Sequence, residues 1–209
     1  MMADVSGDNE ALIEAAFAEY ARDAYRRSPV DRRVAVHESS HCVVGWLVGE
    51  VLVEVAIHDD GSGVADSTVE TPAHLRGVDP AIIQAELVRD HPGVLRAACA
   101  KHIVSVLAGL AADERSGRTD WWCSRDDLAQ ADRLASLVEP RRTRDTFLAE
   151  LRAITRMAVS DAAPLIEGLA DLLQDQRRLP GSVVEAWLEA QPLNAALKGY
   201  YCRLFEVAE

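Results

Sequence analysis

The spacing of apolar residues predicts a mainly helical chain. Apolar side chains recur at intervals of three and four residues over most of the sequence, which places them on one face of an α-helix. This pattern predicts helices over 9–27, 31–49, 80–89, 94–115, 126–138, 144–173 with a break at Pro164, and 180–188. Residues 51–58 are instead rich in β-branched residues, and a turn-forming Asp-Asp-Gly-Ser-Gly separates them from 64–69. The predicted fold is therefore mainly α, with a small β-hairpin.

No internal repeat and no long linker divides the chain, so we expect one main domain. Its predicted limits are 31–190, with an N-terminal helix over 1–30 before it and a C-terminal tail over 191–209.

Composition excludes several functional classes. Hydrophobic residues make up 49% of the 209 positions, which is enough for a packed core. The formal net charge of −12 repels a phosphate backbone, so nucleic acid is not an expected partner. No uninterrupted apolar run is long enough to span a membrane, and Met1–Asn9 does not look like a signal peptide. The four cysteines form no CxxC pair. We therefore expect a cytoplasmic protein with reduced thiols and no direct membrane span.

Residues 37–41 read His-Glu-Ser-Ser-His, an HExxH motif inside a predicted helix. Residues four apart share one face of a helix, so His37 and His41 can bind the same metal ion while Glu38 reaches a water beside it. The alternative is two histidines hydrogen-bonded to the backbone and a solvated glutamate. The buried character of the helix favours the metal.

A catalytic zinc site needs a third protein ligand and an open position for water. The acidic candidates are Asp113, Glu114, Asp120, Asp126 and Asp127. Asp113 and Glu114 have a simpler interpretation as a solvated helix end, and Asp126 and Asp127 as carboxylates in the first turn of a helix capped by Ser124. Spacing alone does not choose among them.

Four ordered segments bear on the choice. They are the HExxH helix with Val-Val-Gly-Trp-Leu over 43–47, the strand and turn over 53–64, Leu-Ala-Gly-Leu-Ala-Ala-Asp-Glu over 107–114, and Asp-Asp-Leu-Ala-Gln-Ala-Asp-Arg-Leu-Ala over 126–135. Together they resemble the peptidase domain of the FtsH and paraplegin type of ATP-dependent zinc metalloproteases, and residues 165–184 are similar to its closing helices. The resemblance covers about Arg32–Leu188 and implies a single helical, zincin-like metallopeptidase domain.

The resemblance assigns roles to individual residues. His37 and His41 match the ligand histidines, Glu38 matches the general base, and Asp127 matches the third ligand of Zn²⁺. Asp113 falls where the family has a glutamate close to the zinc, which implies a carboxylate that orients a ligand histidine. The implied activity is zinc-dependent hydrolysis of peptide bonds in unfolded or short polypeptides, by a water that zinc activates and Glu38 deprotonates.

The sequence also departs from the family. Ser39 and Ser40 replace Ala and Gly, Asp126 replaces Asn, and residues 121–123 (Trp-Trp-Cys) replace a small loop. Trp121 and Trp122 either line a substrate subsite or serve ordinary packing or a contact with a partner. These changes leave open a non-catalytic binding or regulatory module, although the intact Glu38 argues against it. In another class of HExxH protease, the third ligand is a glutamate on a nearby downstream helix, within an ExxxD motif. No suitably placed ExxxD follows His41, so this class is the weakest alternative.

Partners follow from the same resemblance. The family joins its peptidase to a membrane anchor and an ATPase, whereas these residues contain no predicted span and no GxxxxGK[ST] loop, so we expect a stand-alone peptidase. Because the family's peptidase domains form rings, a second copy of this chain is one candidate partner. A separate ATPase is another, because the family's peptidase works with one. The expected substrate is a peptide that adds to the strand over 51–58.

Overall fold

A computed structural model describes residues 29–69, 92–117, 124–192 and 194–206. Over these ranges the chain is mainly helical with a small antiparallel sheet, which confirms the predicted fold class. The elements are α1 (Pro29–Leu47), β1 (Glu50–Ile57), β2 (Gly63–Val69), α2 (Pro92–Val106), α3 (Ala108–Arg115), α4 (Arg125–Val138), α5 (Arg141–Asp161), α6 (Ala163–Gln176), β3 (Arg178–Pro180), α7 (Gly181–Glu189) and α8 (Asn194–Arg203).

Some predictions concern residues outside these ranges. They are the helices over 9–27 and 80–89, nearly all of the N-terminal segment 1–30, and the interpretations of Asp120, Trp121, Trp122 and Cys123.

Helix α1, which carries the HExxH motif, is the central helix of the described fold. Ala35, Val43, Val44 and Leu47 are completely buried in it. One side of α1 contacts β1 and β2, and other sides contact α2, α3 and α6. Burial on all sides is what its nearly continuous apolar sequence predicts.

The hairpin forms as predicted, but the sheet contains a third strand. β1 pairs antiparallel with β2, and the turn between them is held by Asp60, whose Oδ1 accepts hydrogen bonds from the backbone and hydroxyl of Ser62 at 2.9 and 2.7 Å. Residues 54–56 of β1 also pair with β3, which gives the order β2-β1-β3. β1 is therefore central, and β2 and the three-residue β3 are the edge strands among the described residues. Residues 54–56 of β1 thus have strand partners on both sides, so a peptide cannot add to β1 there as the sequence analysis expected.

Two predicted long helices are interrupted. The segment predicted as one helix over 94–115 forms α2 and α3, which meet at Leu107. The segment predicted as one helix over 144–173 forms α5, which ends at Asp161, and α6, which begins at Ala163, beside the expected break at Pro164. Helix α8 is not predicted. It packs through Tyr201, which is fully buried and donates a hydrogen bond to Asp161 at 2.7 Å.

One described segment, Pro92–Arg115, is long and apolar enough to cross a membrane, with a mean hydropathy of 1.5 in its most apolar window. However, 56% of its most apolar window is buried inside the fold, where α2 and α3 contact α1 and α5. A core helix meets the same criteria, so this segment agrees with the expectation of no direct membrane span.

Candidate metal centre

Two helices bring three metal-binding side chains together. His37 and His41 lie one turn apart on α1, and Asp127 lies in the first turn of α4. One ligand atom from each residue lies within 4.8 Å of the others. The Nε2 atoms of His37 and His41 lie 3.3 and 3.6 Å from Asp127 Oδ2. The residues that the sequence analysis assigned to one metal ion thus share one site.

The second nitrogen of each imidazole fixes the orientation of its ring. His41 Nδ1 lies 2.9 Å from the carbonyl oxygen of Ser105, and His37 Nδ1 lies 3.1 Å from Asp113 Oδ2. A carbonyl or an ionised carboxylate only accepts, so both Nδ1 atoms carry the proton. In the neutral rings, both Nε2 atoms then direct a lone pair towards Asp127, and the three electron-rich atoms need a cation between them.

The carboxylate of Asp127 gives an independent test of whether a metal fits. Its Oδ2 atom is buried and makes no hydrogen bond to any described residue, although His37 Nε2 is close. A buried carboxylate oxygen without a partner is costly, and a metal ion would remove that cost. Two imidazoles and one carboxylate are also a ligand set that catalytic zinc uses, with a further position open for water. The residues present therefore fit a metal ion.

The charges around the site favour a cation. Burial by itself lowers the pKa of His37, but interactions with Asp113, Asp127 and Glu38 outweigh it and raise this pKa from 6.5 to about 10. Burial alone raises the pKa of Asp127, whereas His37 and His41 hold it well below its usual range. The site stabilises positive charge between these groups, whether a proton or a metal ion supplies it.

Glu38 lies beside the ligands and is 9% exposed. Burial raises the pKa of its carboxyl group, and the nearby charges of His41 and His37 offset part of the rise. A carboxylate with a raised pKa is a better general base near neutral pH. Glu38 is thus suited to accept a proton from a water in the site.

A cleft of about 360 Å³ opens onto these groups. His37, Glu38 and His41 form one part of its lining, and residues 63–67 of the edge strand β2 form another. The remaining lining residues are His102, Ser105, Val106, Asp126, Asp127 and Gln130. A peptide that adds to β2 would therefore lie next to the three ligand atoms.

The other acidic candidates lie in different environments. Asp113 is buried behind His37 and also lies 3.5 Å from Arg33 Nε, so it is placed to orient the ring. Glu114 points away to an exposed ion pair with Arg156 at 2.9 Å. Asp126 is exposed in the wall of the cleft, outside the three-donor group. This arrangement supports Asp127 over its neighbours as the third ligand.

The substituted serines fit into the motif helix. Ser39 and Ser40 are completely buried, and the Ser40 hydroxyl donates to the carbonyl of Val36, one turn earlier, at 2.7 Å. Ser124 occupies the cap position of α4 as predicted, but its side chain makes no capping hydrogen bond.

Sequence reasoning missed a hydrogen-bonded chain at the wall of the cleft. His102 and Gln130 line the cleft, and His102 is held by the buried carboxylate of Glu50. Glu50 and His102 are 52 residues apart and belong to no motif, so nothing in the sequence pairs them.

Gly109 on α3 leaves the space that the two imidazoles occupy. A Cβ atom at this position would lie 2.4 Å from His37 Nε2 and 2.6 Å from His41 Nε2. We therefore expect Gly109→Ala to displace both rings and weaken zinc binding about ten- to a hundredfold, the range typical of changes next to metal ligands. Competition with a zinc-binding dye measures this. Gly199→Ala is the control, because its Cβ would meet only Arg203 at 3.6 Å. Equal zinc affinity in the two folded variants would contradict the arrangement of the site.

No model of a known protein family matches the sequence, and no curated protein matches it significantly. The resemblance to the FtsH and paraplegin type of peptidase therefore rests on the sequence segments described above.

Proposed function

We propose that this protein is a zinc-dependent metalloendopeptidase, similar to the FtsH and paraplegin type, that cuts unfolded or short polypeptides. One observation carries the proposal. The Nε2 atoms of His37 and His41 and the carboxylate of Asp127 converge on one point, with the buried carboxylate of Glu38 beside them in the same cleft.

Each of these side chains has a role in peptide hydrolysis. His37, His41 and Asp127 would hold the zinc ion. When bound, zinc would act as a Lewis acid and lower the pKa of a water molecule in the site. Glu38 takes a proton from the attacking water as the water oxygen bonds to the peptide carbonyl carbon. Glu38 then gives that proton to the amide nitrogen as the carbon–nitrogen bond breaks, so the products are a carboxylic acid and an amine.

Two further groups keep the ligands in position. The carboxylate of Asp113 and the carbonyl of Ser105 each accept the Nδ1 proton of one imidazole. These contacts stop the rings from rotating and keep both Nε2 lone pairs directed at the metal. The active geometry is thus prepared before a substrate binds.

The edge strand β2 favours an extended substrate. Its residues 63–67 line the cleft, and a peptide can add to an edge strand by backbone hydrogen bonds with little demand on side-chain identity. A cleft of about 360 Å³ admits an extended segment but not a folded domain. A folded domain exposes such a segment only in its open population, which a stability of about 5–15 kcal/mol keeps very small.

A test compares a disordered protein with a stable folded domain of similar length. We expect cleavage of the disordered protein and of a destabilised variant of the domain, while the stable domain survives. A chelator should stop cleavage and added zinc should restore it. Stability-independent cleavage within the core of the stable domain would contradict the substrate model, and cleavage that persists without metal would contradict the mechanism.

A further inference from the structure

A hydrogen-bonded pair, Glu50 and His102, lies at the cleft that holds the metal-binding group. The side chain of Glu50, at the start of β1, is completely buried, and its Oε1 lies 2.7 Å from His102 Nδ1. Its Oε2 accepts a hydrogen bond from the Ser67 hydroxyl at 2.6 Å. Burial raises the pKa of Glu50, but the contacts with His102 and Ser67 outweigh this effect and lower it. Glu50 is therefore an ionised acceptor that holds His102 by Nδ1.

His102 in turn fixes the orientation of a glutamine. His102 Nε2 lies 3.1 Å from Gln130 Nε2. Because His102 Nδ1 donates to Glu50, Nε2 of the neutral ring carries a lone pair, and the Gln130 amide must present an N–H to it. Among the described residues, the second N–H and the Oε1 atom of Gln130 have no other partner.

Gln130 is close to the ligands along the chain and in space. It follows Asp127 by three residues on α4, which places it one turn further along the same face. On α2, His102 precedes Ser105 by three residues, and the carbonyl of Ser105 holds His41. Gln130 and His102 both line the cleft that β2 lines. A peptide lying along β2 would pass this polar wall as well as the metal.

We propose that the Glu50–His102 pair positions the amide of Gln130, which binds the backbone of a peptide in the cleft. Its free N–H donates to a peptide carbonyl oxygen, and its Oε1 accepts from a peptide N–H. An anionic group fits poorly here, because Asp66, Asp126 and Asp127 line the same cleft. This inference rests on the proposed function, since it requires a peptide in the cleft.

The test measures peptide binding without cleavage. The zinc-bound full chain with Glu38→Gln is titrated with a fluorescent disordered peptide, and anisotropy gives Kd. We expect Gln130→Ala and Gln130→Met, which keeps the length of the side chain, to raise Kd about tenfold through the loss of one or two hydrogen bonds. Zinc content and thermal stability should not change. Arg133→Ala, at an exposed position on the same helix, is the matched control and should leave Kd unchanged.

A second substitution tests whether His102 acts through Gln130. His102→Asn keeps an N–H near Glu50 but removes the nitrogen that Gln130 contacts. It should raise Kd about fivefold alone and have no further effect in the Gln130→Met protein. A purely structural role would produce the same added loss in both backgrounds.

The outcomes separate this inference from the proposed function. Peptide and zinc binding that do not depend on Gln130 would overturn the inference and leave the peptidase proposal standing. Additive effects of the two substitutions would overturn the positioning role of His102. A parent protein that holds zinc but binds no peptide would overturn both proposals.

Discussion

Glu38→Gln is expected to lower peptidase kcat by about 10²- to 10⁴-fold while zinc content and thermal stability stay at the wild-type level. The amide has nearly the same shape as the carboxylate but cannot take a proton from water. Glu38 contributes no atom to the three-ligand group, so its replacement should not release the metal. Initial rates with a quenched fluorescent peptide, measured alongside zinc analysis and thermal melts, provide the comparison.

Glu114→Gln is the control for this experiment. Glu114 lies close to the site along the chain but pairs with Arg156 at the surface, so its substitution should not change kcat. Equal activity of wild type and Glu38→Gln would exclude the proposed base. If neither protein cleaves a broad set of peptides although zinc is bound, the non-catalytic module becomes the better interpretation.

Removal of any one ligand is the second large effect. His37→Ala, His41→Ala and Asp127→Ala should each reduce zinc from about one ion per chain to almost none, because two ligands seldom retain zinc. Elemental analysis after gel filtration measures the content. Asp127 Oδ2 makes no hydrogen bond to a described residue and lies close to both histidines, so a bound cation is the partner that the site is built to supply.

Nearby carboxylates give graded controls. Asp113→Asn removes the negative charge of the group that orients His37 but no ligand, so zinc affinity should fall only about ten- to a hundredfold. Asp126→Asn, at an exposed position next to Asp127, should retain zinc. Full zinc occupancy in Asp127→Ala, combined with its loss in Asp113→Ala, would show that Asp113 is the third ligand.

Local patterns predicted the elements that carry the site. The apolar sequence of α1 and the three- and four-residue spacing in α4 place both helices within two residues of their observed ends. The hairpin also matches, because turn chemistry and β-branched residues act over a few positions. These features depend on neighbours in the chain, which a sequence displays directly.

The errors concern elements that depend on distant residues. β3 has three residues and forms by pairing with β1, so it has no periodicity of its own to detect. Helix α8 has a weak apolar pattern and is held by burial of Tyr201 and its hydrogen bond to Asp161. β3 covers one side of β1, so β1 becomes the central strand and β2 is the edge strand that lines the cleft.

The sequence by itself determined that His37 and His41 share one helix face with Glu38 beside them, because the geometry of an α-helix sets the positions of residues four apart. Spacing along the chain left open which carboxylate faces them, and the tertiary structure decided it, since the packing of α4 against α2 brings Asp127 to the histidines. Packing also joins Glu50, His102 and Gln130 from three elements into one hydrogen-bonded chain, of which His102 and Gln130 line the cleft. No spacing along the chain encodes that contact, because it depends on how whole elements lie against one another.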